Sequence, residues 1–149
     1  MTCAPIVRPA RAVLNQAQTI AQAVQMFAAA GFEPLPVVDD DGRLVGVFGP
    51  RELSTLLLPM GARLAGDNFD LGFVSEPLAD LRERLTDAQD ATVGEHAAEH
   101  DPVHPDTSLD EVLLRLHRGE SFLVAVDQDN RVVGVVTAAA VLSHVVEAR

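Results

Sequence analysis

The 149-residue chain is 48% hydrophobic and 22% charged, with a formal net charge of −11. That is one domain's length with enough apolar surface to offset ordering entropy, which excludes a disordered acidic chain. All 11 basic residues are Arg, against 22 acidic ones, so no nucleic-acid or anionic-membrane partner is expected. A lone Cys3 excludes an internal disulfide or a cysteine-cluster metal site. With no apolar h-region at the start and no run near the ~18 residues of a membrane span, the chain reads as cytoplasmic. The all-Arg, Ala-rich composition suggests a GC-rich bacterial source.

In chain order, a short strand is predicted around Ala12–Leu14, followed by a helix capped at Thr19, with Gln22 completing a capping box. Ile20, Ala23, Val24 and Phe27 fall on one helical face, and Gly31 stops the helix. Leu35-Pro36-Val37-Val38 and Leu44 to Phe48 read as two strands joined by the turn Asp39-Asp40-Asp41-Gly42. A second helix opens at Pro50, a residue suited to the first helical position. Pro59 and Gly61 end it, and Gly66, Asp67, Asn68 and Gly72 read as loop. Ser75-Glu76-Pro77 then opens a helix with Leu78, Leu81 and Leu85 on one face and Arg82, Glu83 and Arg84 on the other. That helix either covers an edge of the molecule or offers a contact surface.

The second half repeats the first. Sliding residues 19–53 onto 107–141, an offset of 88, makes 11 of 35 positions identical without a gap; chance gives roughly two or three. A strand at Pro102–His104 precedes a helix boxed by Ser108 and Glu111 and striped by Leu109, Val112, Leu113 and Leu116, which Gly119 ends. Phe122 to Val126, the turn Asp127-Gln128-Asp129-Asn130 and Val132 to Val136 form the second hairpin. A last helix opens near Ala138 and carries Val141, Leu142, Val145 and Val146. The chain therefore divides into repeat one at 1–58, a helical spacer at 59–91 and repeat two at 92–149. A unit of about 45 residues is too small to be stable alone, so the two must share a core.

The string Thr19…Ala23…Gly31…Leu35-Pro36-Val37-Val38-Asp39…Gly42-Arg43-Leu44-Val45-Gly46-Val47 resembles a CBS domain, the cystathionine-β-synthase-type module. Thr107…Gly119…Leu123…Val126-Asp127…Arg131-Val132-Val133-Gly134-Val135-Val136-Thr137 resembles it again. The resemblance covers most of the chain and implies an α/β fold: two pseudo-symmetric β-α-β-β-α repeats forming one Bateman module. It also implies a regulatory or sensor module, not an enzyme, that binds an adenosyl ligand (AMP, ADP, ATP or S-adenosylmethionine) between the repeats. The family's ligand motif runs Gly, apolar, any residue, Thr or Ser, two residues, Asp. The hydroxyl and helix N-terminus face phosphate, and the carboxylate reads ribose.

Both copies depart from that motif. Copy one has Gly49 in place of the hydroxyl, Arg51, and Glu52 at the carboxylate position; copy two keeps Thr137 but has Ala140. The residues carried over as ligand-binding are Pro36, Val37, Arg51, Glu52, His104, Val124 and Thr137, with the copy-one cleft favoured for its carboxylate. With neither Trp nor Tyr, an adenine would stack on Phe or His or pack against aliphatics near Val37 and Val124. The negative charge favours a monophosphate, adenosine-like or cationic ligand.

The resemblance further implies a homodimer, with Val141, Leu142, Val145 and Val146 suited to the interface, and leaves room for an unidentified protein partner. The alternative reading is a ligand-free dimerisation or interaction module. A remoter one is a zinc hydrolase, because His96, Glu99 and His100 match H-x-x-E-H; Pro102 opposes a helix continuing to His104. Asp39-Asp40-Asp41 lacks the spacing of a calcium loop. No catalytic residue, metal ligand or cofactor is assigned.

Overall fold

Thr19 and Gln22 form the expected reciprocal capping box: the threonine hydroxyl accepts from the Gln22 N–H and the glutamine amide oxygen from the Thr19 N–H. This start, with Ile20, Ala23 and Phe27 buried on one face, is why a helix forms here. The computed structural model describes residues 1–59 and 76–147. The first repeat consists of β1 (Leu14–Asn15), α1 (Ile20–Ala29), β2 (Leu35–Val38), β3 (Leu44–Phe48) and α2 (Pro50–Leu57). Next come α3 (Leu78–Ala88) and a short α4 (Val93–His96). The second repeat holds α5 (Leu109–His117), β4 (Phe122–Val126), β5 (Val132–Thr137) and α6 (Ala138–Glu147). Gly61, Gly66, Asp67, Asn68, Gly72 and Ser75, assigned above to a helix end, a loop and a helix start, lie outside the described residues.

In the first sheet β1 is parallel to β2 and β2 antiparallel to β3. In the second, β4 is antiparallel to β5, and Val103 bridges Ala125 in the parallel sense, where β1 meets β2 in the first. Both hairpin turns are held by one carboxylate. Asp39 Oδ1 accepts from the N–H groups of Asp41 and Arg43, and Asp127 Oδ1 from those of Asp129 and Arg131. Gly42 at φ 82° and Asn130 at φ 65° complete the turns, using the residue types that tolerate the left-handed region.

The repeats meet about a pseudo-two-fold axis. Arg43 bridges Arg131, its own counterpart at the offset of 88. The Leu44 N–H donates to the Asn130 carbonyl at 2.9 Å and the Val132 N–H to the Gly42 carbonyl at 3.1 Å. A residue can face its own equivalent in this way only on a symmetry axis. Val47, Val124 and Val126 form the shared apolar seam, flanked by Leu44, Phe122 and Val132.

Each repeat is sealed by an arm from the other half of the chain. Thr2 bridges Ser108 and Arg8 bridges Val135, while Cys3 and Ile6 enter the core of the second repeat. Reciprocally, Thr92 bridges Thr19, Ala98 bridges Val47, and Val93 enters the core of the first. These crossings explain two of the repeated glycines. A Cβ at Gly46 would lie 2.5 Å from the Ala98 carbonyl oxygen, and one at Gly134 would lie 2.5 Å from that of Arg8.

The spacer helix departs from the expected division of faces. Leu78 is 59% exposed, whereas Arg84 turns inward, where it pairs with Glu76 and donates to the Leu57 carbonyl at 2.9 Å. A cation there satisfies an end-of-helix carbonyl of α2 and meets the negative end of its dipole, which outweighs exposure to water.

Candidate functional site

The ligand-motif positions fall where the second strand of each repeat runs into its second helix, and in the second repeat that junction lines a cleft. In the second repeat that junction is Thr137, the last residue of β5. Its Oγ1 accepts from the Ala140 N–H at 3.1 Å and so caps α6. A capping hydroxyl still has its own proton to donate, and the remaining amides of the first turn favour an anion. The cleft above it, about 280 Å³, is lined by Arg8, Arg11, Glu33, Phe122, Thr137 and Ala139, among others. Arg11 pairs with Glu33 at 3.0 Å, both well exposed, and the Arg8 Nη1 donates to the Pro5 carbonyl at 2.7 Å.

The first repeat uses the same junction differently. Gly49 precedes α2, and Glu52 Oε1 reaches back to accept from the Gly49 N–H at 2.9 Å. Partial burial raises the Glu52 carboxyl above its ordinary value, opposed by that hydrogen bond and by Arg51. Arg51 itself is exposed. A separate open depression, about 500 Å³, is lined by Val45, Glu99, His100 and Asp101 and includes none of Gly49, Arg51 and Glu52. The N-terminal arm thus brings arginines to the second-repeat cleft, beside Glu33, and the arm from the other half brings Glu99 and Asp101 to this depression.

Of the residues expected to bind ligand, Pro36, Val37 and Val124 are buried in β2 and β4. Arg51 and Glu52 share the first turn of α2, and Thr137 stands in the second-repeat cleft. His104 joins neither. It is exposed beside Pro105, Asp106 and the Asp127–Gln128 turn in a separate depression, its N–H donating to Thr107 Oγ1. Arg8, Arg11, Glu33 and Phe122 were missing from the expected set, because the local pattern of a repeat does not reveal which half its preceding arm crosses to.

The H-x-x-E-H match is not a helix. α4 ends at His96, Ala97 is extended at ψ 138°, and Ala98 bridges Val47. His96 and His100 therefore do not stack on successive turns as zinc ligands must, and His100 Nε2 accepts from the Val124 N–H at 3.0 Å. Among the described residues, no group of three or more His, Cys, Asp or Glu is placed to hold a metal ion. Nor is any described helix long and apolar enough to cross a membrane. Cys3 is buried, its thiol pushed up by desolvation, with Sγ donating to the His104 carbonyl.

The duplicated β-α-β-β-α unit, paired about a pseudo-two-fold axis, defines a CBS pair. The CBS-domain family model matches residues 3–58 and 101–147, and the chain belongs to that family. No curated protein matches it. Among solved structures, a CBS domain-containing protein from Kribbella flavida is 23% identical, with 98% of this chain and 99% of that one covered and a TM-score of 0.69. A CBS domain-containing protein from Bacillus anthracis is 15% identical, covering 100% and 95%, at a TM-score of 0.76. CBSX2, a CBS-pair protein known from Arabidopsis thaliana, was solved in complex with AMP; it is 20% identical over 98% and 96%, at 0.71. At these identities the likeness establishes the fold.

Proposed function

We propose that this CBS pair is a cytoplasmic regulatory module without catalytic activity, and that it binds an adenosyl ligand in the second cleft. The observation that carries this reading is the convergence of Arg8 and Arg11 from the crossing arm on the cleft that holds Thr137 and the α6 N-terminus. Together they offer cations, a hydroxyl and helix amides to a phosphate, and Phe122 offers an aromatic face. The first-repeat junction is the weaker candidate despite Arg51, since Gly49 supplies no hydroxyl and Glu52 already serves the Gly49 N–H. The AMP bound in the structure of CBSX2 supports the ligand class. Two arginines against a chain of net charge −11 favour a monophosphate over ATP.

AMP at millimolar concentration is expected to raise the melting temperature of the wild-type protein. Arg8→Ala with Arg11→Ala should remove the shift, and Arg51→Ala with Glu52→Gln should keep it. No shift with AMP, ADP, ATP or S-adenosylmethionine would leave the interaction-module reading.

One observation favours self-association alongside ligand binding. α6 leaves Leu142, Val145 and Val146 at 55%, 50% and 81% exposure, an apolar stripe of the kind that marks an interface. Light scattering should report about twice the 15.9 kDa chain mass, and Val145→Glu should halve it. A wild-type monomer would contradict the dimer.

A further inference from the structure

The two repeats solve one backbone problem in different ways. On the outer edge of β4, the Val103 N–H donates to the Val124 carbonyl and the Val126 N–H to the Val103 carbonyl, each at 2.9 Å. The Val124 N–H points to the same side, and its acceptor is an imidazole: His100 Nε2, at 3.0 Å. The equivalent residue in the first repeat is Pro36. It pairs with Val47 as Val124 pairs with Val135, but it has no N–H to satisfy. One repeat deletes the donor and the other supplies a titratable acceptor.

We propose that His100 is a pH-sensitive latch that holds the Ala98–Asp101 strap against β4 and so links the shape of the depression it lines to pH. An imidazole accepts at Nε2 only when it is neutral with its proton on Nδ1. Protonation at Nε2 turns acceptor into donor, setting N–H against N–H, and the contact must open. The strap carries Glu99 on one side of the latch and Asp101 on the other, and both line the open depression together with His100 and Val45. Both its ends are tethered, Ala98 by exchanging both backbone bonds with Val47 at 2.9 Å and Asp101 by Arg115 at its carbonyl, so the latch governs the segment between them.

The charged groups around the latch are defined. Arg115, buried on α5, donates to the Asp101 carbonyl at 2.6 Å and to both oxygens of Glu120 at 2.8 Å. Burial and then Arg115 lower the His100 pKa; Glu120 and Asp101 raise it, and the net direction is down. A histidine whose folded value lies below its unfolded one, about 6.5, holds its contact fully above that pH. The contact is lost as pH falls through the folded value.

The test is amide exchange at Val124, read by NMR as a protection factor corrected for intrinsic exchange, from about pH 7.5 to about pH 5. Protection should fall at least about ten-fold as His100 titrates, and the His100 ring nitrogens should report an Nδ1–H tautomer at the upper end. His100→Gln places a non-titrating oxygen near the Nε2 position and should keep the protection while abolishing the step. Val124→Pro recreates the first repeat and, with the donor gone, should weaken the dependence of melting on His100 protonation without abolishing it, since burial still disfavours the imidazolium. An Nε2–H tautomer, protection unchanged across the range, or a step that persists in His100→Gln overturns the latch. The His100→Gln arm stands even if Val124→Pro fails to fold.

Discussion

At equivalent positions the first repeat carries Gly49 and Glu52 and the second Thr137 and Ala140. Both sets start a helix. The first does so by reaching a carboxylate back to the Gly49 N–H, the second by folding a hydroxyl onto the Ala140 N–H. Arg8 and Arg11, with Glu33, line the cleft at the second junction, whereas Glu99 and Asp101 line a separate depression beside Val45. What the repeats share is what the backbone requires: the turn aspartates, Asp39 and Asp127, and the strand glycines, Gly46 and Gly134. The fold has been kept twice, while the residues at the strand–helix junctions differ.

The largest expected effect tests the shared part. Gly46→Ala and Gly134→Ala each drive a methyl into the carbonyl of a crossing arm, so each should lose about 3 kcal/mol in denaturant unfolding. A loss under about 1 kcal/mol in either would mean that the arms yield and do not set the pairing.

Smaller effects separate the two caps. Thr137→Ala removes the α6 cap and should cost about 1 kcal/mol. Glu52→Gln keeps an acceptor for the Gly49 N–H and should stay within about 0.5 kcal/mol of wild type at neutral pH. The sign of its pH dependence follows from burial. Glu52 has a folded pKa above its unfolded one, so the folded protein binds the extra proton. Wild-type stability therefore rises relative to Glu52→Gln as pH drops through the interval between the two values. Parallel pH profiles for the two proteins would show that Glu52 is not desolvated.

Much of the fold was legible because its signals are local and occur twice. The helix stops at Gly31 and Gly119 and the turn residues Gly42 and Asn130 all take positive φ. Each helix start predicted from a capping residue or proline lies within a residue of its place. Phe32 was not foreseen. A bulky residue at φ 62° is strained, and here its ring lies edge-on to Phe27 at 5.2 Å, a contact that offsets part of that strain. The strand–helix junctions at Arg51, Glu52 and Thr137 were legible from the register of the motif. The rest of the second cleft was not, because Arg8 and Arg11 reach it through a non-local crossing. For the same reason His100 looked like half of a metal motif, and only the β4 edge shows it to be a backbone acceptor.

The claim that the second cleft is the ligand site is tested most directly by titrating the protein with AMP and following backbone amide shifts. Saturable changes at Phe122, Thr137 and Ala139, with Arg51 and Glu52 unmoved, are the predicted result. Changes confined to Arg51 and Glu52, or none at millimolar AMP, would contradict it.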